Sequence, residues 1–231
     1  MNRLFTLLLI TMSLMACKNQ EKKQDKMTET ETQTVTKEMM ESAVIYEANI
    51  RQYSPEGNSD ALTKDLPELQ KMGVKSKWLM PVCPTSENNR KAKGDLFVHD
   101  IKDPEERKKY LGSYYAVADY KGVNPEFGTL EDLKELVQKA HELDMSIILD
   151  WVPNHTGWDN KWIKEHPEFY TKNAKGEIST VLNDEGKSIG WDDVADLDYT
   201  NPEMRKAMIE SMQYWLKEVD VDGFRCDVAG M

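Results

Sequence analysis

Two short runs in this chain end in clusters of polar side chains, and this pattern restricts the fold more than any other feature. Met145–Leu149 is followed by Asp150-Trp151-Val152-Pro153-Asn154-His155. Val219-Asp220-Val221-Asp222 is followed by Gly223-Phe224-Arg225-Cys226-Asp227. The apolar residues of the first run do not alternate with polar ones, as expected for a strand covered on both faces. Helical patterns lie between such strands, which indicates an α/β fold with a parallel sheet. Polar clusters at the C-terminal ends of parallel strands are where a (β/α)8 barrel places its active site.

The remaining elements follow the same alternation. Ala43–Ile50 reads as a first strand. Ser59 and Asp60 offer caps for a helix to about Met72, ended by Gly73. Val74–Met80 reads as the second strand, stopped by Pro81 and Pro84, and a long polar loop follows. Thr129 opens a helix with Asp132 three residues on, an acidic variant of the capping box. Its apolar stripe is Leu130, Leu133, Leu136, Val137 and Ala140. Residues 156–193 show no period and read as an insertion after strand three. Asn201-Pro202 opens another helix, with Met204, Met208, Met212 and Trp215 on its inner face. Val219–Arg225 is expected as the fourth strand.

Four strands make half of an eight-stranded barrel, which takes about 250 residues. Residues 43–231 are therefore expected to be the first about four βα units, with an open strand edge prone to aggregation.

The N-terminus differs in kind. Arg3 and the apolar stretch Leu4–Ala16 read as a signal peptide over 1–16, too short to span a bilayer comfortably. Leu14-Met15-Ala16-Cys17 resembles a bacterial lipobox, which implies lipidation of Cys17 and anchoring to the periplasmic or cell-surface face of a membrane after secretion. Residues 17–42 are rich in Lys, Glu, Gln and Thr and read as a flexible tether, or as a solvated helix over the last turns. Cys83 and Cys226 fit no zinc spacing. Strand alternation turns Cys226 away from Arg225 and Asp227, so both cysteines are expected as small buried residues without a disulfide. The net charge of −11, with no basic cluster in the folded part, argues against nucleic acid as a partner.

Several pieces, in order, resemble the α-amylase family of retaining glycoside hydrolases. They are Gly112-Ser113-Tyr114-Tyr115 with Asp119-Tyr120, Asn124–Thr129, Asp150–His155 and Gly223–Asp227, with Asp196-Leu197-Asp198 as a weaker fifth. The resemblance implies a (β/α)8 barrel with an inserted domain B, acting on α-glucans or malto-oligosaccharides. It makes Asp227 the nucleophile and Arg225 the guanidinium that orients it and favours its ionised form. It makes His155 a ligand of sugar hydroxyls and Tyr115 a platform for the same sugar, although Tyr114 beside it leaves the register open. Asn154 matches a position that binds a structural calcium ion in some members; calcium takes about six or more oxygens. Asp150 is read as holding the loop. Trp151, Trp158, Trp162 and Trp191 either line sugar subsites or pack the insertion.

Two departures stand out. Lys77 replaces an apolar residue of strand two and is expected to snorkel or to be paired. Asp144 replaces a helix-ending glycine, which an aspartate tolerates. The family's general acid and third carboxylate fall on later strands, so residues 1–231 alone are expected to be inactive. Two other readings stay open: a transglycosylase using the same residues, and a non-catalytic glycan-binding lipoprotein.

Overall fold

A computed structural model describes residues 37–94 and 96–229. The signal peptide, Cys17 and the tether up to residue 36 lie outside the described residues. The chain divides into two units, Met1–Glu41 and Ser42–Met231. Of the first, the described part is residues 37–41 of a short helix, α1 (Lys37–Ser42), with an exposed Lys37–Glu41 pair. Among the described residues no helix is long and apolar enough to cross a membrane.

The second unit is built on a four-stranded parallel sheet of β1 (Val44–Ala48), β2 (Val74–Leu79), β3 (Ser146–Trp151) and, after two further strands in the chain, β6 (Gly223–Cys226). Its spatial order is β1-β2-β3-β6, each strand beside its predecessor. The first strand is shorter than expected, because Ile50 opens α2 (Ile50–Tyr53). Next comes α3 (Ser59–Lys71), capped by Asn58, whose side chain accepts from Ala61 N–H. Ser59, an expected cap, instead donates its hydroxyl to the Phe127 carbonyl at 3.0 Å. The long loop after β2 holds α4 (Pro104–Arg107).

Thr129 and Asp132 form the expected capping box at the start of α5 (Leu130–Glu142), through hydrogen bonds of 3.2 and 2.7 Å. Leu62, Leu66 and Leu69 of α3, with Leu133, Leu136, Val137 and Ala140 of α5, are buried in the core. Each such leucine contributes about 1.5–3 kcal/mol relative to exposure. Asp144 ends α5 at φ 53°, the left-handed region.

After β3 come β4 (His155–Gly157), α6 (Trp162–Glu165) and β5 (Val194–Asp196). The antiparallel pairing of β4 with β5 ties the two ends of the insertion together. Then α7 (Pro202–Glu218), capped by Asn201, buries Met204, Met208 and Trp215, with Met212 half-buried.

Three expectations need correction. The fourth strand starts at Gly223, not Val219, because Asp220 takes φ 62° and Asp222 caps the sheet instead of joining it. The Asp222 carboxylate accepts from Ile147 N–H at 2.6 Å and lies 3.0 Å from His141 Nε2. Cys226 is exposed, since no described element covers the outer edge of β6; Cys83 is buried, and both thiols are free. Lys77 neither snorkels nor pairs. It is 0% exposed, its Nζ has no hydrogen-bond partner, and it faces the rings of Tyr46 and Tyr53 at 5.2 and 5.9 Å. Two phenol faces take the place of water around the amine.

Candidate active site

The parallel register places Asp150 of β3 directly beside Arg225 of β6. One guanidinium nitrogen of Arg225 donates to both Asp150 oxygens, at 3.1 and 3.3 Å, and to Asp227 Oδ1 at 2.6 Å. Arg225 and Asp227, two residues apart, therefore project the same way. The Asp227 backbone N–H donates to the Trp151 carbonyl at 2.8 Å, which fixes the turn that carries the carboxylate. The Arg225 guanidinium also lies 4.7 Å from the Trp78 ring centroid. Burial works against its charge, but hydrogen bonds to Asp150 and Asp227 prevail and raise its pKa.

Asp150 does more than hold a loop. Its buried carboxylate accepts from Arg225, from Trp78 Nε1 at 3.1 Å and from the Tyr115 hydroxyl at 3.2 Å. Burial raises its pKa while Arg225 and Trp78 oppose the rise. The sequence signal for this role is an aspartate directly after the apolar run Ile147–Leu149. Trp78 gave no such signal, since a strand covered on both faces does not disclose which residues face the site.

Tyr115, and not Tyr114, enters the site; Tyr114 lies under the Arg51 guanidinium at 4.4 Å. The Tyr115 phenol is pushed up to about 12 by burial and by Asp150 and Asp227. His155 is buried and placed by Asn154, whose amide oxygen lies 2.9 Å from its Nδ1. Burial lowers the His155 pKa against the pull of Asp227 and Asp193, which favours the neutral ring. The segment before it is held by buried Tyr120, whose hydroxyl lies 2.7 Å from the Val152 carbonyl and 3.0 Å from that of His155.

Asn154 is thus engaged with His155. Among the described residues no three His, Cys, Asp or Glu side chains are grouped to hold a metal ion. The Asn154 amide oxygen, turned to His155, is one donor of the six or more oxygens that a calcium ion takes.

Tyr115, His155 and Asp227 line one cavity of about 400 Å³, together with Lys91, Ser113, Trp191, Asp193 and Val194. Of the four tryptophans singled out above, Trp191 lines this cavity and meets His155 edge-to-face at 5.5 Å. Trp151 and Trp162 are buried in the core around Tyr120. Trp158 donates to the Asp192 carbonyl at 3.0 Å. Lys91 and Asp193 were not anticipated: they sit in a polar loop and in the aperiodic insertion, where the sequence carries no period to place them.

A parallel α/β sheet with an arginine-bound carboxylate, a buried imidazole and aromatic walls at its C-terminal strand ends defines a barrel-type catalytic domain. The alpha-amylase catalytic-domain model matches residues 15–177 and 188–231. The chain belongs to the alpha-amylase family of glycoside hydrolases. Alpha-amylase 3 of Dictyoglomus thermophilum is 27% identical over 207 residues, covering 81% of this chain and 36% of that protein. The crystal structure of an alpha-amylase from Lactobacillus plantarum superposes with a TM-score of 0.68 at 40% identity, covering 81% of this chain and 38% of that one. A maltogenic alpha-amylase, AmyB, from Thermotoga neapolitana gives a TM-score of 0.68 at 39% identity, covering 82% and 40%. The chain spans 22–36% of the length of the curated relatives it matches.

Proposed function

We propose that the protein containing this chain is a retaining glycosidase acting on α-glucans, with Asp227 as its nucleophile. The observation that carries this reading is the Asp227 carboxylate held by Arg225 at 2.6 Å on the wall of a cavity shared with Tyr115 and His155. A carboxylate fixed by a guanidinium is oriented for attack without first shedding ordered water. In the first step an Asp227 oxygen bonds to the anomeric carbon and the glycosidic C–O bond breaks. A second carboxylic acid gives its proton to the leaving oxygen, and water later releases the sugar as the same group takes its proton. We assign that second acid to the part of the relatives that this chain does not span. Tyr115 offers a flat face to the sugar, and His155, favoured neutral, offers a hydrogen bond to a hydroxyl.

The lipobox-like segment supports an anchored protein that acts outside the cytoplasm, with Cys17 as the lipidated residue. Residues 1–231 alone are expected to be inactive. The test is hydrolysis of malto-oligosaccharides by the complete protein and by its Asp227→Asn variant. Loss of turnover with retained folding is expected, and normal activity in the variant would overturn the assignment. Added acceptor sugars separate hydrolysis from transfer through the products formed.

A further inference from the structure

The cavity that contains Asp227 has a second polar feature with no part in the reaction above. Lys91, in the long loop after β2, reaches the insertion: its Nζ donates to the Gly190 carbonyl and lies 3.5 Å from Asp193 Oδ1. Both residues line the cavity with Tyr115, His155 and Asp227.

The segment that presents Asp193 is pinned on several sides. Trp158 Nε1 donates to the Asp192 carbonyl at 3.0 Å, and the Ser188 hydroxyl donates to the Asp192 carboxylate at 2.7 Å. The Thr180 hydroxyl donates to the Trp191 carbonyl at 2.5 Å, and the Trp191 ring meets His155. Asp193 is therefore held in place before any ligand arrives, with its side chain 13% exposed against 41% for Lys91.

A pair with a long 3.5 Å contact and a half-exposed lysine adds little to stability, on the order of 0–1 kcal/mol. It does retain bonding capacity. An ammonium has three N–H donors and a carboxylate about four acceptor positions, and their mutual contact consumes only some of these. A donor and an acceptor side by side on a cavity wall match the hydroxyls of a sugar, each of which donates and accepts.

We propose that Lys91 and Asp193 are specificity-determining residues that read the hydroxyls of the sugar held over Tyr115 and His155. The proposal rests on the reading of this cavity as an α-glucan site, and it names the substrate class as unsubstituted gluco-oligosaccharides. A site built to hydrogen-bond a hydroxyl rejects ligands without it, because its own polar groups are then left unpaired.

The test uses the complete protein with maltotriose and the variants Lys91→Met, Lys91→Arg and Asp193→Asn. Turnover is measured in the otherwise native protein, and equilibrium binding by calorimetry in the Asp227→Asn background. Lys91→Met and Asp193→Asn are each expected to raise KM about tenfold with kcat little changed, and to weaken binding by the same factor. Lys91→Arg, which keeps the donors, restores most of the loss. Unchanged KM and binding would overturn the proposal, even with a lowered Tm, because Lys91 would then only tie the loop to the insertion. A fall in kcat alone would overturn it as well.

The two readings fail separately. Normal hydrolysis with an indifferent Lys91→Met leaves the glycosidase and removes the recognition pair. Binding that depends on Lys91 without any hydrolysis leaves the pair and removes the glycosidase. No maltotriose binding by any form removes both.

Discussion

Replacing Lys77 by Met should stabilise the protein at neutral pH, and the gain should vanish in alkali. Lys77 belongs to the face of β2 opposite Trp78, among Tyr46 of β1, Tyr53 of α2 and Asp65 of α3. Burial pushes its amine down from 10.5 to about 8, with Asp65 pulling the other way. At about 1.4 kcal/mol per pH unit this is roughly 3 kcal/mol against the charged form. Residual solvent screening and favourable contacts with two rings offset part of that, leaving about 1–2 kcal/mol. Met fills a similar volume without a charge. The variant should gain about 1–2 kcal/mol at pH 7, or a few degrees in Tm.

The sign of the pH effect follows from linkage. Below pH 8 the amine is protonated in both states and its cost is complete. Between about 8 and 10.5 the folded state has released its proton while the unfolded state still binds one, so wild-type stability rises with pH. Other groups titrate alike in both proteins, and their difference isolates Lys77. Denaturation of wild type and Lys77→Met at pH 7 and pH 10.5 tests this. A gap that stays constant with pH, or a variant less stable by more than about 1 kcal/mol at pH 7, would show that the Lys77 charge is not buried at a cost.

Three further outcomes follow from the site. Asp150→Asn removes the charge that binds Arg225 on two oxygens, so kcat should fall on the order of 100-fold in a folded protein; steady-state kinetics with circular dichroism would check it. Tyr120→Phe removes the hydroxyl that donates to the Val152 and His155 carbonyls, and thermal denaturation should report a loss of about 1–3 kcal/mol. Gly157→Ala would place a methyl 2.3 Å from Ser86 Cβ, two residues along β4 from His155. It should cost at least about 1–3 kcal/mol, partly recovered by Ser86→Gly.

Much of the frame was legible because its signals are local. Thr129 with Asp132, Asn201 before Pro202, and the leucine stripe of α5 are set by helix geometry over a few residues, and the structure keeps all three. The Arg225–Asp227 juxtaposition follows from strand alternation alone. What escaped depends on tertiary neighbours. The run Val219–Asp222 has the composition of a strand, yet Asp222 is drawn away to cap Ile147 N–H and contact His141. Cys226 does not line the cavity, but whether it is buried depends on an element packed over β6, which its own sequence does not encode. Lys77 looked like a residue that must find water or a counter-charge; the two tyrosines that receive it come from separate elements. Lys91 and Asp193 lie 102 positions apart in segments without periodicity, so no pattern connects them.

Attack of Asp227 on the anomeric carbon, as proposed, leaves a sugar covalently bound to that residue. The most direct measurement treats the complete protein with a slowly released fluorosugar donor, then locates the label by peptide mass spectrometry. One added sugar is expected, on the peptide that contains Asp227, and none in the Asp227→Asn variant. A label on another carboxylate, or turnover with no covalent species and an active Asp227→Asn variant, would contradict it.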